Sequence, residues 1–229
     1  MHKHIDVVIP AFNEADAVGL VVREIPKELV RNIVVVDNNS SDGTADVASR
    51  ASAIVVREPD QGYGAACLRG LSYLSELPEK PDIVVFIDAD YSDYPREMFE
   101  LVAPILDGDA ELVIGSRSLG NREKGSMMPQ QVFGNWLATT MMKVLYKAKF
   151  TDLGPFRAIT WDALQKINMK DRDYGWTVEM QVKALKLGIP YTEIPVKYRK
   201  RKGVSKITGT IKGTIMAGYK IILTILRYA

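Results

Sequence analysis

The sequence predicts an α/β fold, one domain with a mainly parallel sheet flanked by helices, on three observations. Short continuous apolar runs recur along the chain, each followed by a segment of helical periodicity, which is the pattern of βαβ units around a sheet buried on both faces. Three of these runs end in acidic or amide residues, so chemistry-bearing side chains gather at one sheet edge, where ligands bind in open α/β folds. A chain of 229 residues with 47% hydrophobic content is also long enough to bury one large core within a single domain.

The elements follow in order. Ile5-Asp6-Val7-Val8-Ile9-Pro10 reads as the first strand, followed by Ala11-Phe12-Asn13-Glu14 and a helix to about residue 28. Arg31-Asn32-Ile33-Val34-Val35-Val36 is the second strand, ending in Asp37-Asn38-Asn39-Ser40-Ser41-Asp42-Gly43-Thr44, where Ser41 or Asp42 suits the cap of the next helix. Ile54-Val55-Val56 is a third strand, and Gly62-Tyr63-Gly64 opens a helix near Ala65. Ile83-Val84-Val85-Phe86-Ile87 is the fourth, ending in Asp88-Ala89-Asp90, and Glu111-Leu112-Val113-Ile114 leads through Gly115-Ser116 to Arg117.

Two later segments are apolar and helical. Residues 127–150 carry a broad stripe of Phe133, Trp136, Leu137, Met141, Val144 and Leu145. Residues 210–228 place Lys212, Lys220 and Arg227 on one face and Ile211, Ile215, Ile222 and Leu226 on the other. Mid-span lysines cost about 2.5–3.5 kcal/mol each in a bilayer, so this last helix is expected to lie in a membrane interface rather than to span it. Packing on the core, or at a dimer contact, is the alternative for both helices.

Asp88 and Asp90 are the most informative pair. Two carboxylates one residue apart repel unless a cation or several donors compensate them, and hard divalent ions share such oxygens with substrate phosphates. A solvated strand-end turn is the duller alternative. Glu14 and Asp37 read either as caps or as ribose or base contacts on the same edge. Gly62-Tyr63-Gly64 is not a dinucleotide fingerprint, because the third glycine is replaced by Cys67 and the motif does not follow the first strand; it is a turn or a close approach to a nucleotide. Arg117 offers a planar fork of donors that suits phosphate. Asp152 and Arg157 flank Gly154-Pro155-Phe156, where an Asp–Arg pair fixing the loop competes with a substrate role. Glu179 is a further acidic candidate at a helix start.

Composition excludes several classes. The net charge is +2, and the one dense basic run, Lys197-Tyr198-Arg199-Lys200-Arg201-Lys202, is too local for a nucleic-acid surface. The single Cys67 rules out an internal disulfide and a cysteine-rich metal site, which suits a reducing compartment. The first strand begins too early to leave room for a signal peptide, so a cytoplasmic location is expected.

Taken together, Val7-Val8-Ile9-Pro10-Ala11-Phe12-Asn13-Glu14, Val34-Val35-Val36-Asp37-Asn38-Asn39-Ser40-Ser41-Asp42-Gly43-Thr44 and Phe86-Ile87-Asp88-Ala89-Asp90 resemble the nucleotide-sugar half of family 2 glycosyltransferases. The likeness continues through Gly62-Tyr63-Gly64-Ala65-Ala66, Gly115-Ser116-Arg117, Asp152-Leu153-Gly154-Pro155-Phe156-Arg157 and Gly203-Val204-Ser205-Lys206, as in the branch that glycosylates polyprenyl (dolichyl or undecaprenyl) phosphate.

The resemblance implies a GT-A domain over residues 1–206, with a nucleotide-sugar half to about 118, an acceptor half from 119, and an interfacial helix at 207–229. It implies an inverting, metal-dependent enzyme on the cytoplasmic face of a membrane, with a nucleotide sugar and a polyprenyl phosphate as partners. Asp90 with Asp88 would hold Mg²⁺ or Mn²⁺. The catalytic set would be Asp88, Asp90, Arg117 and Asp152. Substrate would meet Pro10, Phe12, Glu14, Asp37, Asn38, Gly64, Ala65, Ala89, Ser92, Arg157, Lys200, Arg201, Ser205 and Lys206.

Departures from the branch shape the substrate expectation. Asn38 replaces the second acid of the usual Asp-Asp-Asn-Ser, which favours a UDP-sugar such as UDP-glucose over GDP-mannose. Ser92 stands where a Gln is common, leaving water to complete the metal shell. Arg199, Lys200 and Arg201 compete for the phosphate-binding role. The alternative is a family 2 enzyme acting on a saccharide or other hydroxyl, which needs a base, and Asp152 is the candidate. A nucleotidyltransferase would need a Gly-rich basic loop after the first strand, and a non-catalytic binding protein would not need Asp88, Asp90 and Arg117 intact.

Overall fold

The computed structural model describes residues 3–203 and 211–228. Ser205 and Lys206 lie outside the described residues, as do the side chains of Ile211, Lys212 and Ile215. The strands are β1 (Ile5–Ala11), β2 (Asn32–Asp37), β3 (Ile54–Arg57), β4 (Ile83–Phe86), β5 (Leu112–Ser116), β6 (Arg157–Thr160) and β7 (Tyr191–Pro195). The helices are α1 (Val18–Glu24), α2 (Thr44–Arg50), α3 (Tyr63–Glu76), α4 (Met98–Leu106), α5 (Pro129–Tyr146), α6 (Trp161–Ile167), α7 (Trp176–Lys186) and α8 (Ile211–Arg227).

One seven-stranded sheet runs β3-β2-β1-β4-β6-β5-β7. Every pairing is parallel except those of β6, which runs antiparallel between β4 and β5. Successive residues of the central strands enter opposite cores. Val8, Val34, Val84 and Phe86 pack with α3, α6 and α7, whereas Val7, Val35, Val85 and Ile87 pack with α1 and α4. That two-sided burial is why the strands read as unbroken apolar runs rather than alternating ones.

Helix α1 stops at Glu24, short of the expected residue 28, because Pro26 disfavours a helical conformation at Ile25, which is extended at φ −63°, ψ 128°. Helix α5 begins with Pro129, whose missing N–H costs nothing in the first turn. It rests on the core through Asn135, Ala138 and Met142 and leaves Val132, Phe133, Trp136, Val144 and Leu145 exposed.

Helix α8 packs against α5 and α7. Its buried side is Thr224 and Ile225, which matches the packing alternative, while Leu226 of the face expected to meet a membrane interface is exposed. Met216, Tyr219, Leu223 and Leu226 form an exposed apolar stripe beside it. Helix α8 thus has one apolar side toward the protein and another toward solvent. No helix among the described residues is long and apolar enough to cross a membrane.

Candidate active site

The strand ends form two adjoining cavities. The first, about 280 Å³, is lined by Pro10, Ala11, Phe12 and Glu14 after β1, by Asn38 after β2, by Gln61, Gly62, Tyr63 and Ala66 at the start of α3, and by Asp88, Ala89 and Asp90 after β4. Asp173, Tyr174 and Arg201 close its far side. The second, about 410 Å³, holds Arg117, Lys200 and Arg201 among the apolar and aromatic side chains of Met128, Leu153, Pro155, Tyr198 and Ile221. Tyr63, Asp88, Asp90, Tyr174 and Arg201 line both cavities. They are the wall through which a group would pass from one to the other.

The acid pair is built from the backbone up. Ser92 donates to Asp90 Oδ1 from its N–H (2.9 Å) and its hydroxyl (2.5 Å), fixing the carboxylate's rotamer. Asp90 Oδ2 faces the Arg201 guanidinium at 3.2 Å, and Arg201 also grips Glu14. Tyr63 donates its phenol hydrogen to Asp88 Oδ1 at 3.0 Å. Burial, reinforced by the charge of Asp90, pushes the Asp88 carboxyl from 3.8 up to about 6.

Behind the pair, Asp93 is buried with no donor to either oxygen among the described residues; burial and then the charges of Asp88 and Asp90 drive its carboxyl well above the usual range. Three carboxyls close together, one of them without a donor among the described residues, fit a hard divalent cation. Among the described residues no group of three or more His, Cys, Asp or Glu could hold a metal. An ion on Asp88 and Asp90 would therefore share its shell with substrate phosphate and water, as Mg²⁺ commonly does.

Arg117 and Asp152 form a buried bidentate pair, with Nε–Oδ2 at 2.9 Å and Nη2–Oδ1 at 2.7 Å, and the Arg117 N–H also donates to Oδ2. Burial works to raise the Asp152 carboxyl, but the Arg117 charge and these bonds hold it below the ordinary value. Of the five guanidinium donors, the pair uses two; Arg117 also lines the second cavity, and its guanidinium lies 5.1 Å from the centre of the Tyr198 ring. Burial pushes the Tyr198 phenol up to about 12.

Several expected site residues have other work. Arg157 is fully buried, lines neither cavity, and donates to the carbonyls of Leu153, Gly154 and Thr177, with burial lowering it to about 10. It fixes the 153–157 loop through backbone oxygens, not through Asp152. Asp37 is buried and accepts from Ser40 N–H. Asn38 lines the first cavity, yet its amide donates to Glu58 O and Asp60 O and accepts from Gly62 N–H, so it organises the 58–62 loop.

Gly64 and Ala65 face the 171–172 segment rather than either cavity. A Cβ on Gly64 would stand 2.1 Å from Asp171 O, and Ala65 N–H donates to Arg172 O at 2.8 Å. Glu179 is buried, accepting from the N–H groups of Lys170 and Asp171. Among the basic residues, Arg199 is tied down, stacked 3.3 Å from the centre of the Tyr91 ring and paired with Glu24, whereas Lys200 and Arg201 reach the cavities. Sequence reasoning missed Gln61, Tyr63, Asp173, Tyr174 and Tyr198 as lining residues. The signal for Tyr63 was its place between two glycines; Asp173 and Tyr174 just before Gly175 carried none.

The family model described as glycosyl transferase family 2 matches residues 6–207. An uncharacterized glycosyltransferase of Mycobacterium bovis is 34% identical over 215 residues, spanning 93% of this chain and 94% of that protein. An undecaprenyl-phosphate mannosyltransferase of Micrococcus luteus is 27% identical over 218 residues, spanning 90% and 88%. Among solved structures, the glucosyl-3-phosphoglycerate synthase of Mycobacterium tuberculosis in complex with Mn²⁺, UDP-glucose and phosphoglyceric acid shares the fold at a TM-score of 0.79 and 23% identity, covering 99% of this chain and 79% of that one.

Proposed function

The chain belongs to glycosyl transferase family 2 and is a glycosyltransferase; on that premise we propose that it moves a hexose from a nucleotide-diphosphate sugar to a polyprenyl phosphate, with inversion. The observation that carries this reading is the pair of cavities joined at Asp88, Asp90 and Arg201, acidic on the donor side and, beyond the wall, cationic within apolar surroundings. A lipid phosphate needs both properties of the second cavity: Arg117, Lys200 and Arg201 for the anion, and Met128, Leu153, Pro155 and Ile221 for the first isoprene units. The undecaprenyl-phosphate activity of the Micrococcus relative supports the same acceptor class.

Mg²⁺ or Mn²⁺ held by Asp90 and Asp88 would supply positive charge to the departing diphosphate. Ser92 keeps Asp90 aimed, and Tyr63 keeps Asp88 aimed. Pro10, Phe12, Glu14 and Gln61 shape the nucleoside site. A UDP-sugar is favoured over GDP-mannose, since position 38 presents no anion to a guanine edge and the Asn38 oxygen already accepts from Gly62 N–H. The acceptor phosphate is anionic at neutral pH, so its oxygen attacks without a protein base. Arg117, oriented by Asp152, and Lys200 align it, and positioning with charge stabilisation provides the rate. The hydroxyl-acceptor alternative is weakened because Asp152 is fully buried and engaged by Arg117.

The test is initial rate with a panel of nucleotide sugars and either a short polyprenyl phosphate or the matching free polyprenol. Transfer to the phosphate alone, abolished by chelator, restored by Mn²⁺ and absent in Asp90→Asn, is the expected result. Efficient transfer to the free alcohol would overturn the lipid-phosphate reading.

A further inference from the structure

Residues 170–175, between α6 and α7, put Asp173 and Tyr174 into the first cavity, and Tyr174 into the shared wall. This turn is organised from inside by two acids. Asp171 Oδ1 accepts from the N–H groups of Asp173 (2.8 Å) and Gly175 (3.1 Å), and Glu179 accepts from those of Lys170 and Asp171. Below, the turn rests on a glycine shelf at the start of α3. A Cβ on Gly62, whose φ is +153°, would meet Arg172 O at 2.2 Å, and one on Gly64 would meet Asp171 O at 2.1 Å.

Above, the turn is held by α8. Lys220 Nζ lies 3.1 Å from Asp171 Oδ2, and the Tyr228 hydroxyl donates to Glu179 Oε1 at 3.1 Å. Thr224 presses so closely on Gly175 that a Cβ there would stand 2.8 Å from its hydroxyl oxygen. The same helix is anchored to α5 by Tyr146 OH, which donates to Ile225 O at 2.6 Å, and it lines the second cavity with Ile221. Asp171 is therefore gripped by α8 itself, and Glu179 by Tyr228 just past its end together with Lys183 of α7 at 2.6 Å.

We propose that α8 is a working part of the transfer site, in which Lys220 on Asp171 and Tyr228 on Glu179 are positioning residues that clamp the 170–175 turn onto the Gly62–Gly64 shelf and so set Asp173 and Tyr174 against the sugar of the donor. The proposal rests on the sugar-transfer reading above. It accounts for three features which that reading leaves idle: the glycines on either side of Tyr63, the buried Glu179 and the lysine in the middle of α8. The carboxylate of Asp173 accepts hydroxyl hydrogens, and the ring of Tyr174 offers a face to sugar C–H groups. A shift of the turn should therefore weaken contact with the sugar while sparing contact with the nucleotide, whose walls come from other loops.

The test uses the full chain carrying Lys220→Gln, Tyr228→Phe, both together, or Lys220→Arg. Hydrogen exchange of the amides of Asp171, Asp173 and Gly175 is expected to accelerate in the first three and to stay slow in Lys220→Arg. With a turned-over donor, kcat/KM should fall, up to about 10²-fold for the double variant, while UDP or GDP alone binds as tightly as before, and Lys220→Arg should restore the rate. Unaltered exchange in the double variant would overturn the proposal, as would a loss of activity that Lys220→Arg does not repair or that is matched by equal loss of nucleotide affinity. Absence of turnover by the unsubstituted protein with every nucleotide sugar would instead overturn the sugar-transfer reading, and the exchange measurement alone then decides whether α8 holds the turn.

Discussion

At the scale of single residues, the Arg117–Asp152 pair ties stability to the site. The Asp152 carboxyl is held below 3.8 against burial by Arg117, so the unfolded chain binds more protons through that range and stability rises with pH. The contribution is complete above the ordinary carboxylate value and is lost as pH falls through the lowered one. Asp152→Asn is therefore expected to reduce the melting temperature at neutral pH and to flatten the acid limb of stability below about pH 4, as thermal melts from pH 2.5 to 7 would register. Arg117→Gln should cost more, about 3–5 kcal/mol, because it leaves a buried carboxylate without its cation. The motif residues Asp88, Asp90 and Arg117 were legible because a strand end fixes where they point. The partner of Asp152 was not, because Arg117 is distant in sequence and only the β5–β6 pairing brings them together.

At the scale of elements, the strands could be read from sequence because burial on both faces leaves no ambiguity about apolar runs. The faces of α5 and α8 could not be read, because periodicity separates apolar from polar but does not say which apolar stripe meets the protein. Both helices leave apolar stripes exposed, Phe133 at 60% and Tyr219 at 61% among them, and patches of this kind mark interaction sites. Met128 at the head of α5 and Ile221 on α8 lead from those stripes into the second cavity. If these helices lie on a membrane, Phe133→Glu with Trp136→Glu, or Leu223→Glu with Leu226→Glu, should release the protein from anionic vesicles in sedimentation assays while leaving the melting temperature unchanged. Retention of both double variants on the vesicles would assign the stripes to another partner.

At the scale of the whole molecule, the sheet edge gathers residues from the ends of β1, β2 and β4 around the first cavity. Asp173, Tyr174 and Arg201, all from beyond residue 118, close that cavity together with the early strand ends. Sequence reading places residues along the chain, whereas a cavity wall is set by which loops the topology folds back over it. The basic segment shows this: Lys202 N–H donates to Asp90 O and Arg199 N–H to Ser92 O, so it runs across the 90–92 loop as a strap.

The antiparallel β6 also governs how the molecule is made. β1 to β3 can assemble with β4 as soon as they leave the ribosome, but the other edge of β4 has no neighbour until β6 is synthesised. Roughly 70 residues intervene, and at about 5–20 residues per second that edge stays open on the order of 4–14 s. An open strand edge invites pairing with another chain. A nascent or truncated product ending near residue 150 is therefore expected to be recovered in aggregates or bound to holding chaperones, while the full chain is not. Fractionation of the two after brief expression would measure the difference, and would show that the strand which closes the sheet is also the one that ends its exposure to misassembly.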